Sequence, residues 1–440
     1  MRRTLLLIPH EIASVPVFGF GWLFGLLLIG FFARLVWALK RPGSPVASAR
    51  SDSSESNTET TTVVDWLWSE GILWAAGMIA VVYVLPQIEL TNVDNEPVGM
   101  AIRGYGVMLV IAIGSAVGLS AYRVRRAGMD PDWVYSLAPL LLISGIVGAR
   151  AFFVIQYFDQ FKADSLGQTV RNVLAFTEGG LVIYGSMIGG FLAFCWFAYR
   201  RKIPMLRFGD AIIPCVFLGV FFGRIGCLMN GCCYGGRCED GWASLRFPPI
   251  TAVYNEQLQS GELLGMDIDP ATGRVREVVP GSVAAELGIQ AGSRYDGGEF
   301  DVTPFQTADR TIPEEEVVPG WTLRVSGRKY VLSPQELPAK ALPVRAAQPI
   351  SSTNALLLCG LLWFISRFIH RDGALLAIGF AGYAVNRFGL ELVRVDEGGQ
   401  FNTSLTISQW VSVCVFVLSI VSLAWLYTQA PRTTTAAVSD

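Results

Sequence analysis

Histidine is nearly missing from this chain, with only His10 and His370 among 440 residues, and charge is scarce, at 16% of residues. A soluble globular protein carries about 25% charge, so little of this surface is built to face water. Two histidines leave almost nothing for chemistry that needs a buried imidazole. No His-Glu-x-x-His pattern exists for a zinc protease, and His370 sits at the end of an apolar stretch, poorly placed to partner a serine. A net charge of −2 supplies no broad basic face, which excludes nucleic acid as a partner. A clean signal-peptide pattern is also lacking. Pro9, His10 and Glu11 break the apolar run of "MRRTLLLIPHEIASVPVFGFGW" and no small-residue cleavage site follows, so this segment is expected to be retained.

What is abundant is apolar: 52% of residues are hydrophobic and the mean hydropathy is +0.44. Many of the 46 glycines lie inside apolar runs, where small residues let membrane helices approach closely. Stretches of about 20 apolar residues, enough to cross a bilayer, fall near 16–39, 66–86, 104–123, 133–157, 180–199, 209–230, 353–369, 373–393 and 405–428. The expectation is an all-α polytopic membrane protein, a bundle of about seven to nine transmembrane helices. The cationic loops "LKRPGSPVASAR", "YRVRRAGMD", "YRRKIPMLRFGD" and "SRFIHRD" share one side if the N-terminus is outside and the C-terminus cytoplasmic. Arg2 and Arg3 alone run against that orientation.

Two segments are not membrane. Residues 43–63 are Ser/Thr-rich and of low complexity, and are expected to be a disordered linker. Residues 240–348 form a polar insertion on the outer side, in which "VREVVPGSVAAELGIQAGSRY" resembles the part of a PDZ domain where a Pro-Gly-Ser turn leads into an Ala-rich helix. Any small β-rich domain with a Pro-Gly turn would also account for it. The expected organisation is extra helices and linker over 1–99 and a first membrane core over 100–240. The insertion follows over 241–348, PDZ-like around 275–296, then a second membrane core over 349–428 and a tail over 429–440.

Three arginines, Arg150, Arg224 and Arg387, lie inside the expected spans. Each costs about 2.5–3.5 kcal/mol at a helix centre on insertion scales, and an anion held in a protein-lined cavity is the commonest reason to keep one. On the span at 373–393, Tyr383, Arg387, Glu391 and Arg394 share one face. Arg387 and Glu391 can pair there, as a structural bond between helices or as part of a site. The span at 209–230 ends in "GVFFGRIGCLMNGCCYGGRC", where Gly219 and Gly223 make a small face and Arg224, Cys227 and Gly231 lie along one side, with Asn230 at the end. The thiols Cys227, Cys232, Cys233 and Cys238 follow C-x4-C-C-x4-C, unlike the usual paired zinc knuckles. Zinc and a disulfide stay possible, but small apolar residues at a tight helix end are the simpler reading. "EGGLVIYGSMIGGFLAF" lines a groove with glycines around Tyr184, and "AIRGYGVML" sets Tyr105 between Gly104 and Gly106. Helix packing alone would explain those glycines.

In order, "RGYG", "GARAFFVIQYF", "EGGLVIYGSMIGG", "GRIGCLMNGCCYG" and "GYAVNRFGLELVR" resemble the prolipoprotein diacylglyceryl transferase family over residues 100–240 and 345–425. The resemblance implies transfer of the sn-1,2-diacylglyceryl group from phosphatidylglycerol to the lipobox cysteine thiol of a prolipoprotein, in the bacterial inner membrane. It implies no cofactor and no metal. The family's functional positions fall on Tyr105, Arg150, Tyr184, Arg224, Asn230, Gly235, Arg387 and Glu391. Of these, Tyr105, Tyr184, Arg224, Arg387 and Glu391 are expected to serve catalysis. Arg150, Arg224, Asn230, Gly231, Gly235 and Arg387 are expected to hold the lipid, with Arg150 as a third or structural cation.

The departures from the family are specific. Tyr184 stands where many relatives carry a histidine, Cys227 and Cys232 where they carry asparagine and glutamate, and Gln348 and Asn354 where they carry histidine and glutamate. The residues before about 100 and the insertion lie outside the family pattern. A lipid transporter or a non-catalytic scaffold presenting the outer domain are the competing classes.

Overall fold

The computed structural model describes residues 4–40, 71–92, 95–162, 165–174, 182–301, 318–394 and 403–429. The low-complexity stretch at 43–63, Gly179, Gly180 and nearly all of the expected tail therefore lie outside the described residues. The chain forms two compact units, one of residues 1–104 and 247–342, the other of residues 105–246 and 343–440.

The chain opens with strands, which corrects the expectation that β structure is confined to the insertion. β1 (Thr4–Pro9), β2 (Glu11–Ile12) and β3 (Val15–Pro16) precede α1 (Trp22–Lys40). The apolar run in β1 is stopped by Pro9, too short for a span, and finds a partner strand instead. After α2 (Ile72–Ile79) and its irregular continuation to Gln87 come β4 (Leu90–Thr91) and β5 (Pro97–Arg103), giving a sheet in the order β1-β5-β4.

The other unit begins with α3 (Gly104–Arg126), α4 (Asp132–Gln156), the short α5 (Phe158–Phe161) and α6 (Leu166–Leu174), α7 (Ile183–Arg201) and α8 (Met205–Asn230). The hairpin rung β6 (Ser244–Leu245) leads into the insertion. There α9 (Ala252–Gln259), β7 (Met266–Asp269), β8 (Arg274–Val278), α10 (Val283–Glu286), β9 (Tyr295–Asp301), β10 (Gly320–Val325) and β11 (Arg328–Leu332) surround the buried Trp321, Leu323 and Leu258. The Pro280-Gly281-Ser282 turn caps α10, Ser282 Oγ accepting from the Ala285 amide at 3.3 Å. β12 (Val344–Arg345) then pairs with β6, and α11 (Ala347–Ile365), α12 (Ala374–Glu391) and α13 (Ile407–Thr428) complete the unit.

Among the described residues, α3, α4, α8, α11 and α13 are long and apolar enough to cross a membrane, and two shorter apolar helical stretches run over Trp22–Trp37 and Ile72–Gln87. The molecule is thus a mostly helical membrane protein.

Three packings fix the core. α4 lies along α7 at backbone contact: a Cβ on Gly148 would stand 2.3 Å from the Gly185 carbonyl oxygen, and one on Gly189 would stand 2.4 Å from that of Ser144. Close helix packing, rather than an open groove, accounts for Gly185 and Gly189. α11 lies along α8 through Ile213, Phe217, Leu358 and Leu362, with Ser352 Oγ donating to the Phe221 carbonyl at 3.1 Å. α12 is pinned to α8 by Asp210, whose carboxylate accepts from the Gly373 amide at 2.6 Å and the Leu376 amide at 2.7 Å. An anion at a helix N-terminus satisfies amides that have no partner within the helix and complements the helix dipole.

Gly148→Val is expected to separate α4 from α7 and to lower the thermal unfolding midpoint of the detergent-solubilised chain. Overpacking of this kind costs about 1–3 kcal/mol. Gly190→Val, at a position with nothing within 4 Å, should leave the midpoint unchanged. Equal midpoints for the two variants would refute the contact.

Candidate functional site

Arg224, two turns from the end of α8, and Arg387, on the last turns of α12, line one cleft. Tyr383 and Asn386 of α12 and Ser351 and Asn354 of α11 share its wall, and Phe217, Leu358 and Leu390 supply apolar surface. The Asp210 clamp and the α8–α11 contacts set these three helices in register, so the two guanidinium groups converge because of helix packing. The free volume inside is about 20 Å³, close to the room one water needs.

The two arginines differ in their partners. Arg387 Nη1 meets Glu391 Oε2 at 2.5 Å, one turn along the same helix, and Nη2 donates to Ser408 Oγ of α13 at 2.7 Å. Glu391 is buried and its other oxygen accepts from Thr406 Oγ1 at 3.3 Å. Thr406 and Gln409 form a capping box at the start of α13, so the arginine, the carboxylate and the next helix are held as one network. Arg224 has no hydrogen-bond or ion-pair partner among the described residues.

Just beyond Arg224 the chain reverses. Gly231 caps α8 at φ 71° and Cys233 follows at φ 59°, a left-handed conformation that costs a side-chain-bearing residue about 1 kcal/mol or more. This turn brings the Sγ atoms of Cys227, Cys232 and Cys233 within 4.8 Å of one another. All eight cysteines are free thiols, and Cys238 stands outside the trio. The Cys232 thiol donates to the Cys227 carbonyl at 3.7 Å, and Gln348 Nε2 donates to the Cys232 carbonyl at 2.8 Å. Hydrogen bonds from the Cys227 and Cys232 thiols, and then the charges of Arg224 and Arg394, hold the Cys233 thiol well below its ordinary pKa. Tyr105, half-exposed at the start of α3, packs its ring edge against Gly226 and lies within electrostatic reach of all three thiols.

The remaining expected residues are dispersed. Gly235 is wedged where a Cβ would stand 2.8 Å from Arg345 Cβ and 2.9 Å from the Val393 carbonyl oxygen, so no other residue fits there. Arg150 does not line the cleft; it donates to the carbonyls of Val173 at 2.9 Å and Asn172 at 2.8 Å, and lies over the Phe161 ring. Tyr184 falls in the first turn of α7, with its side chain outside the described residues. Of the expected glycine face, Gly219 meets α3 at Ala116, whereas Gly223 has nothing within 4 Å. Sequence reasoning missed Ser351, Asn386, Thr406 and Ser408. Only Thr406 carried a signal, the Thr-x-x-Gln capping box.

Apolar helices long enough to cross a membrane, two of them contributing to one cleft with Arg224 and Arg387 in its wall, define a membrane protein that keeps arginines among its helices. The family model described as prolipoprotein diacylglyceryl transferase matches residues 96–425. The phosphatidylglycerol–prolipoprotein diacylglyceryl transferase of Rhodopirellula baltica is 41% identical over 96% of this chain and 89% of its own length. That coverage cannot leave out the first 95 residues or the insertion. The enzymes of the same name from Clostridium tetani and Deinococcus radiodurans are 32% and 30% identical over 32% and 39% of this chain. The matched stretch is 54% and 52% of their own lengths, so against these two the chain spans about half of the relative. The chain belongs to the prolipoprotein diacylglyceryl transferase family.

Glu391→Gln removes the charge from a hydrogen-bonded ion pair, and charged hydrogen bonds contribute about 1.5–3 kcal/mol. The thermal midpoint should fall accordingly, and Ser408→Ala should lower it less. An unchanged midpoint in Glu391→Gln would show that the pair contributes nothing to stability.

Proposed function

We propose that this chain transfers the sn-1,2-diacylglyceryl group of phosphatidylglycerol to the thiol of a prolipoprotein's lipobox cysteine, releasing glycerol 1-phosphate. The observation that carries the reading is the convergence of Arg224 and Arg387 on one cleft. The C–O bond at the phosphate-bearing glycerol carbon breaks, and the departing phosphate gathers negative charge. Preorganised cations in a dry site stabilise such charge far better than water-exposed ones. Arg224, with its donors unspent, takes the phosphate, and Arg387 assists with the N–H groups not given to Glu391 and Ser408. Glu391 orients Arg387. Tyr105 and Asn230 hydrogen-bond glycerol or ester oxygens, and Gly231 and Gly235 shape the turn that carries them. Tyr184 donates a hydrogen bond to the lipid. The hydrogen bonds of Arg150 to Asn172 and Val173 favour its structural role.

In this reading the chain lies in the bacterial inner membrane with seven to nine spans, the N-terminus outside and the C-terminus cytoplasmic. The insertion is then periplasmic and PDZ-like around 275–296. The Lys/Arg loop bias supports that orientation, and the turn–helix–strand order after Pro280 supports the PDZ likeness.

Arg387→Ala in proteoliposomes containing phosphatidylglycerol and a lipobox peptide should lower lipidation by about 100-fold or more, the usual effect of deleting one charge-stabilising group. Helix content should stay unchanged. Full activity would remove Arg387 from the mechanism. Loss of phosphatidylglycerol that does not depend on the thiol would point to another reaction, and transport with the lipid left intact would point to a carrier.

A further inference from the structure

The transfer needs an acceptor thiol without its proton, since thiolate is the nucleophile and a free thiol has pKa about 8.5. Neither His10 nor His370 lines the cleft, and the position where relatives carry histidine holds Tyr184. Beside Arg224, this chain gathers three thiols.

We propose that Cys227, Cys232 and Cys233 bind a thiophilic divalent cation of the zinc type, whose fourth position takes the acceptor cysteine of the substrate as its thiolate. The inference rests on the transfer reading given above.

Three observations support it. First, the three Sγ atoms already lie within 4.8 Å of one another. Metal–sulfur bonds of about 2.3 Å in a tetrahedron set the sulfurs about 3.8 Å apart, so they need close by no more than about 1 Å. Second, the turn that gathers them is held in place at some expense. Cys233 sits at φ 59°, Gln348 fastens the Cys232 carbonyl, and the Cys232 thiol donates to the Cys227 carbonyl. Strain of this kind collects at functional positions. Third, the charge balances: three thiolates around a dication carry −1, and Arg224 stands about one turn before Cys227 on the same helix.

Three protein ligands with an open fourth position is the pattern of a reactive zinc site, where four protein ligands would make a closed structural one. Coordination deprotonates a thiol outright. The acceptor S–H bond breaks, its proton leaves to water, and the sulfur electron pair attacks the glycerol carbon. The C–O bond to phosphate breaks with its electrons on the leaving phosphate. The thioether product carries no charge, binds the cation weakly and departs. The spacing C-x4-C-C-x4-C hides such a site, because knuckle patterns assume chelation within one turn while this trio depends on a chain reversal.

The test uses the full-length chain in detergent, reduced and stripped with a chelator, then titrated with Co2+ as the probe. One Co2+ per chain with a near-ultraviolet thiolate absorption is expected. That absorption should disappear in each of Cys227→Ser, Cys232→Ser and Cys233→Ser and persist in Cys195→Ser and Cys238→Ser. Should a serine variant fail to fold, wild-type thiols provide the second measurement, and stoichiometric Zn2+ should shield three of them from a thiol reagent. No absorption, three unshielded thiols, or a disulfide within the trio in chain purified without reductant would each overturn the site. A lipobox peptide with cysteine should shift the Co2+ spectrum and the serine peptide should not. No shift with a peptide that the chain lipidates would overturn the acceptor role. Metal binding is read without lipid transfer, so its failure leaves the transfer reading standing. Loss of transfer with cobalt still bound would reject that reading alone.

Discussion

A guanidinium in hydrocarbon is tolerable only where protein replaces its water, and this requirement organises the membrane unit. Arg387 meets it with Glu391 and Ser408, and Glu391 in turn holds Thr406, the cap of the following helix. One buried cation thus sets the register between α12 and α13. The Asp210 carboxylate does the corresponding work between α8 and the start of α12. Breaking a buried pair is costly because it strands the remaining charge, so the same contacts that solvate Arg387 hold the cleft in shape.

Arg224 is the exception, and the contrast is informative. Its guanidinium faces the cleft with no hydrogen-bond partner among the described residues, beside an arginine that is braced on two helices. A site that must receive an anion benefits from one cation fixed in position and another with donors unspent, because preorganisation and binding capacity are then supplied by different groups.

Much of this was legible in the residues. Apolar length gave most helices, and Arg387 with Glu391 at a separation of four gave the pair. The arginine on the glycine-rich end of α8 was conspicuous without any structure, and it lines the cleft. Other features stayed hidden for physical reasons. Ser408, Ser351 and Asn386 are ordinary residues on apolar helices, and their roles come from neighbours far along the chain. The apolar run at Thr4–Pro9 is too short for a span, and its strand character becomes visible only with its partner at Pro97–Arg103. Gly223 shares the composition of a packing face yet touches nothing, while Gly148, less conspicuous, lies against another backbone. Periodicity tells which residues share a face, but not whether that face meets a neighbour.

The rung formed by Ser244–Leu245 and Val344–Arg345 ties together the two points where the chain leaves for the insertion and returns from it. With its doorposts hydrogen-bonded to each other, the chain departs for the intervening hundred or so residues and returns at one point. A junction closed in this way fixes both ends of the insertion on the bundle, the condition under which insertions between fixed ends are tolerated.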